Sequence, residues 1–167
     1  LVITEVDHEN SVFDSTHHVN IGDLVLQLGR PLLIVPRGLD SFVPERVLVC
    51  WKNTREARRA IADALPLLKA ATTVTVAALA DETTISKLNR QVKDVLGWLA
   101  HHGVKAESIV AEALRDEAEQ LRNIARKHTA DLIVAGAYGH TRLREFVLGG
   151  VTRDLLLRGE HCALVSN

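Results

Sequence analysis

The residues whose types and spacing could do chemistry lie in positions 132–152, LIVAGAYGHTRLREFVLGGVT. A short apolar run, 132–135, ends at Gly136; Gly139 follows, and after nine more residues come Gly149 and Gly150, where another apolar helical pattern begins. Glycine lets backbone N–H groups approach an anion closely, and a helix N-terminus adds unsatisfied N–H groups and partial positive charge. Strand, glycine loop and helix start, in that order, read as a phosphate cradle. Thr152, just behind Val151, offers a hydroxyl to a phosphate at the helix start, while His140 and Arg142 offer charge-assisted donors from the loop. One Gly-x-x-Gly carries little information; the full spacing G-x2-G-x9-G followed by Val-Thr is far more specific. The competing readings are turn and cap glycines, a packed or solvated Thr152, and a solvated loop face.

A cradle needs strands to deliver it. Arg46–Trp51, RVLVCW, is a continuous apolar run of the kind found in strands buried on both faces. Thr54 caps the next helix, whose buried stripe is Ala57, Ala60, Ile61, Ala64, Leu65 and Leu68. Pro66 inside that stripe predicts a kink or an early end. Positions 74–80 read as a second strand; Ile85, Leu88, Val92, Val95, Leu96 and Leu99 mark a second amphipathic helix stopped by Gly103. Positions 104–110 alternate like an edge strand. Ala118, Leu121, Ile124 and Ala125 mark a third helix, 132–135 the fourth strand, 151–157 part of a fourth helix and 163–165 the last strand. This alternation predicts an α/β fold: an open, five-stranded parallel sheet with right-handed crossovers and helices on both faces. Ligands bind such sheets beyond the strand C-termini, at a topological switch point. Trp51, Lys52 and Gly136 all fall at strand ends and are expected to line one crevice.

The chain also repeats itself. A shift of 131 residues lays 1–3 on 132–134, 23–26 on 154–157 and 32–34 on 163–165, so strand, helix and strand match in one register. Positions 1–36 therefore read as the C-terminal part of a first unit, 37–44 as a linker bounded by prolines, and 45–167 as a complete second unit. The glycines are missing from the first copy: Gly136, Gly139 and Gly149 are matched by Glu5, His8 and His18. A carboxylate then stands where a phosphate oxygen would sit, so this copy is not expected to hold a phosphate. The chain has no methionine, even at position 1, which reads as a fragment or a processed product.

The glycine spacing, the residues between the glycines and the strand–helix order resemble the universal stress protein family, and the repeat resembles its tandem members. The resemblance implies that family's fold, a cytoplasmic role in stress response, and ATP or a related adenine nucleotide as ligand, alone or with Mg²⁺. The ligand-binding set carried by this reading is Trp51, Lys52, Thr54, Ala78, Gly136, Gly139, His140, Arg142, Gly149, Gly150, Val151 and Thr152. Two positions depart from the family pattern. Its nucleotide binders carry an aspartate just after the first strand, where this chain has WKNT with Lys52, and many carry Ser or Thr where this chain has Gly150. Lysine cannot accept a hydrogen bond from ribose or adenine as a carboxylate does. The family also implies dimerisation through the last strands. The runs 31–35 (PLLIV) and 163–165 (ALV) are therefore expected to pair with each other, as a pseudo-dimer, or with copies in another chain.

Composition excludes several classes. A formal net charge of −1 gives nucleic acid no bulk electrostatic attraction, and no apolar run reaches the span of a bilayer. Cys50 and Cys162 each sit in an apolar strand-like run and read as buried thiols in a reducing compartment. The pairs His17–His18 and His101–His102 point apart on helix or strand and do not form a metal site. No catalytic triad or acid–base pair stands out. The sequence thus points to a non-catalytic, adenine-nucleotide-binding or nucleotide-responsive stress module. The alternatives are a protein-interaction domain with a vestigial pocket and, third, a weak ATPase.

Overall fold

The computed structural model describes residues 1–5, 21–137 and 161–167. In chain order the elements are β1 (Val2–Glu5), α1 (Ile21–Gln27), β2 (Leu32–Val35), β3 (Arg46–Trp51), α2 (Arg55–Ala70), β4 (Thr73–Ala80), α3 (Ile85–His101), β5 (Ala106–Glu112), α4 (Glu117–Lys127), β6 (Leu132–Gly136) and β7 (Cys162–Ser166). The expected helix over 151–157 lies outside the described residues.

The strands form one sheet in the order β1-β2-β7-β6-β3-β4-β5. The expected parallel core of five strands is β7-β6-β3-β4-β5, with β5 at the edge. The expectation of five strands falls short by two. β1 and β2 pair parallel with each other and join the same sheet through β7. That join is the sheet's antiparallel step, with Leu32 opposite Val165, Leu33 opposite Leu164 and Ile34 opposite Ala163. The cause is burial. Leu32, Ile34, Ala163 and Val165 share one apolar cluster with Val25 of α1, so separating the strands would expose that cluster to water.

Side chains alternate across the sheet. Val47, Val49 and Trp51 of β3 join a cluster with α2 and α3, while Leu48 packs with Leu121 and Ala125 of α4 on the opposite face. Helices therefore cover both faces, as right-handed crossovers require.

Local signals explain the helix limits. The Thr54 hydroxyl oxygen accepts a hydrogen bond from the Ala57 N–H at 3.3 Å, and the Asp116 carboxylate accepts one from the Glu119 N–H at 2.9 Å, capping α2 and α4. Gly103 ends α3 at φ +81°, a conformation other residues rarely adopt. Pro66 does not end α2, which runs on to Ala70. Pro66 has no N–H for the Ala62 carbonyl, and both residues are exposed, so that carbonyl is not forced to stay unpaired away from water. At the opposite end of the sheet the Asp131 carboxylate accepts from the N–H groups of Glu45 (3.1 Å) and Arg46 (3.0 Å), fixing where β3 starts beside β6.

Candidate functional site

The chain leaves β3 for β4 on one side, whereas β6, on the other side of β3, neighbours β7. The direction of connection reverses between β3 and β6, and such a reversal opens a crevice above the strand C-termini. Trp51 and Gly136 are the last residues of these two strands.

Trp51 is buried and pairs in register with Ala78. Ala78 is itself buried, two residues before the end of β4, and belongs to the core on the α2 and α3 face. Lys52 is exposed. Its carbonyl accepts from the Thr54 N–H at 2.7 Å, turning the chain tightly into α2. The Thr54 oxygen is engaged as the cap acceptor, which leaves its O–H free to donate. Glu56, in the first turn of α2, is 3% exposed and lies 3.6 Å from the Arg55 Nε. The Thr54 cap satisfies one N–H of the first turn of α2, and the Glu56 carboxylate lies in the same turn, where negative charge is favoured.

Gly136 meets α2 at close quarters. A β-carbon there would lie 2.5 Å from the Ala57 nitrogen and 2.6 Å from the Glu56 carbonyl carbon. The close approach that requires glycine here is that of the α2 backbone. Beyond it, the Ala137 N–H donates to the Ser166 carbonyl at 2.8 Å and the Asn167 side-chain amide donates to the Ala137 carbonyl at 3.1 Å, tying together the ends of β6 and β7. Gly139, His140, Arg142, Gly149, Gly150, Val151 and Thr152 lie outside the described residues. The structure therefore brings Trp51, Lys52, Thr54 and Gly136 to one end of the sheet and sets Ala78 below them in the core.

Two residues that the sequence reading passed over belong to this end. The Arg58 guanidinium donates to the Asn53 side-chain oxygen, anchoring the turn after β3. Their spacing crosses a turn and a helix start, where no simple periodicity flags it. Cys50, beside Trp51, has its thiol pushed up to about 12 by burial. It stays protonated at neutral pH and supplies no nucleophile.

A doubly wound α/β sheet with its crevice at a β3–β6 switch point defines the class of this protein. The universal stress protein family model matches residues 44–165, and the chain belongs to that family. Among solved structures it is similar to the universal stress protein UspA from Lactobacillus plantarum, at 14% identity and a TM-score of 0.65, covering 76% of this chain and 100% of that one. It is similar to a universal stress protein solved in complex with cAMP, at 20% identity and a TM-score of 0.56, covering 75% of this chain and 98% of that one. It also matches a functionally unknown protein from Pseudomonas aeruginosa PAO1 at 18% identity and a TM-score of 0.61, over 98% of this chain but 61% of that one. No curated protein sequence matches the chain. No helix among the described residues is long and apolar enough to cross a membrane.

Proposed function

We propose that this chain is a nucleotide-responsive stress module that binds ATP or a related adenine nucleotide, alone or with Mg²⁺, above the C-terminal ends of β3 and β6, without strong catalysis. The observation that carries the reading is the start of the G-x2-G-x9-G-Val-Thr run at Gly136, the end of β6 at the switch point. A family relative solved with cAMP supports an adenine nucleotide as the ligand class. Lys52 and Thr54 face the same end of the sheet, where an ammonium and a free hydroxyl donor suit phosphate oxygens.

Isothermal titration with ATP and with cAMP, each with and without Mg²⁺, tests the proposal. Gly149→Asp and Thr152→Ala are the variants to use. Gly136→Asp is unsuitable, because any side chain there collides with the backbone of α2. Saturable binding that both variants weaken is the expected result; absence of binding by the unaltered chain overturns it. Phosphate release no faster than in the Thr152→Ala protein would exclude the weak-ATPase alternative.

A protein-interaction role with a vestigial pocket is the second reading. It is favoured by Lys52, which stands in place of a carboxylate. For assembly, we infer that the last strands serve an intramolecular pseudo-dimer rather than a homodimer. In support, β7 lies between β6 and β2 and has no free edge for a second copy. Light scattering that showed a dimer dissociated by substitutions on β7 alone would count against it.

A further inference from the structure

β5 ends the sheet, and among the described residues no strand pairs with its far side. Its ladder with β4 tells which backbone groups face outward. The Ala113 N–H donates to the Ala80 carbonyl at 2.9 Å, so Glu107, Ile109 and Ala111, in step with Ala113, turn their N–H and C=O groups toward β4. Ala106, Ser108, Val110 and Glu112 turn theirs away from the sheet. The Glu112 carbonyl agrees with this, because it accepts from the Gln120 side-chain amide at 2.8 Å, outside the ladder. Sheet edges are ordinarily guarded by proline, bulges or charge. This one pairs with β4 residue for residue from Ala106 to Glu112, without a bulge or a proline. Glu107 is drawn back onto its own sheet: the Thr75 hydroxyl donates to its carboxylate at 3.1 Å, and the His128 ring stands 4.0 Å away. Ile109, Val110 and Ala111 are half-buried.

The residues along this edge fit a copy of themselves. A second β5 related by a two-fold axis normal to the sheet runs antiparallel to the first, and each residue keeps its own face. Charge then selects the register. Centred on Glu107, the pairing sets two carboxylates face to face; centred on Ser108, it sets them on the diagonal. Centred on Val110, it leans on the Glu112 carbonyl that Gln120 already holds. Centred on Ile109, it brings no like charges together: Glu107 meets Ala111, Lys105 meets Ala113 and Ile109 meets its own copy. The outward backbone groups of Ser108 and Val110 then exchange hydrogen bonds with Val110 and Ser108 of the copy.

We infer that β5 is the surface by which two copies of this chain join, antiparallel, on a two-fold axis at Ile109, so that one sheet runs through both. The contact satisfies the outward N–H and C=O groups and removes the half-buried Ile109 and Val110 from water. It repeats between chains what β2 and β7 do within one, where two edges close antiparallel. It does not rest on the nucleotide proposal, because β5 carries none of the residues assigned to that site, and it uses a different edge from the β2–β7 join.

Sedimentation over a concentration series, joined to a disulfide scan, tests the inference. The unaltered chain should pass from monomer to dimer as concentration rises. Opposed residues of a non-hydrogen-bonded antiparallel pair have Cα atoms about 4.5 Å apart, within the roughly 4.4–6.8 Å that a disulfide spans. Ile109→Cys should therefore cross-link two chains under mild oxidation, with the unaltered chain as blank. Glu107→Cys should not, since its two copies stand four residues apart along the strands, about 14 Å. Ile109→Lys sets two ammonium groups face to face; it should keep its circular dichroism spectrum and lose the dimer. A monomer at every concentration overturns the inference. So does cross-linking through Glu107→Cys without Ile109→Cys, which would mean another register, and so does a dimer that Ile109→Lys leaves intact.

Discussion

The Ala57 nitrogen stands 2.5 Å from the point that a β-carbon on Gly136 would occupy. The first turn of α2 thereby rests directly on the end of β6, and glycine is the one residue that leaves room. Gly136→Ala forces backbone against a methyl group, and backbone cannot rotate away as a side chain does. The expected cost is about 3 kcal/mol, the upper end of ordinary overpacking. Urea denaturation at neutral pH measures it; a loss under about 0.5 kcal/mol, typical of a harmless surface change, would show that α2 moves aside freely.

Arg59 fastens the same helix to the strands beyond β6, at the same end of the sheet. Its guanidinium donates to the Asn167 carbonyl at 2.8 Å and to the Gly29 carbonyl at 2.8 Å, while Ser166 Oγ donates to Asp63 at 2.8 Å. Gly29 belongs to the turn between α1 and β2, so one side chain couples α2 to the β2–β7 join. Arg59 is partly exposed, which discounts charged hydrogen bonds to about 1 kcal/mol in total. Arg59→Ala should cost that much and should speed hydrogen exchange in β2 more than in β4. Equal acceleration in both strands would mean that the residue acts on global stability alone.

How much of this was legible beforehand depends on the range of the signal. Thr54 and Gly103 act within their own turns, and the cap and the positive φ are each a property of a few adjacent residues, whereas the Asp116 cap of α4 was not singled out. The apolar stripes of α2 and α3 likewise give their buried faces directly. Pro66 locally signals a helix end, but the cost of a helical proline depends on the surroundings of the carbonyl it orphans, which is a tertiary fact. Gly136 was legible as a place of close approach but not by what, since Ala57 lies 79 positions away. β1 and β2 are legible as strands from the repeat, but not their addition to the sheet of the second unit, which rests on the burial of Leu32 and Ile34 against Ala163 and Val165.

The two thiols make a prediction about pH. Burial pushes the Cys50 thiol from its ordinary 9.0 to about 12, and burial together with the Asp131 carboxylate pushes Cys162 to about 11. Below pH 9 both thiols hold their protons whether the chain is folded or not, and they add no pH dependence. Above pH 9 the unfolded chain releases protons that the folded chain keeps, so stability falls as pH rises toward 11 and 12. Denaturation midpoints measured between pH 8 and 10.5 should decline, and Cys50→Ala with Cys162→Ala should flatten part of that decline. At pH 8 a thiol-specific reagent should label neither cysteine until denaturant is added. Rapid labelling of the native chain would show that the β3–β6 region opens far more readily than its burial implies.

Lys52 sets the last prediction. It is exposed and immediately follows β3, so exchanging its side chain disturbs no packing. If the crevice receives an adenine nucleotide through its ribose, Lys52→Asp replaces a donor by an acceptor at the point where ribose hydroxyls need one. Affinity for adenosine should then rise about tenfold, the value of one good charge-assisted hydrogen bond. Affinity for ATP should rise less, because the new carboxylate also repels phosphate where the ammonium attracted it. Calorimetry with both ligands separates the two effects. A fall in ATP affinity with adenosine affinity unchanged would mean that Lys52 contacts the phosphates, and that this chain holds its nucleotide by them rather than by the ribose.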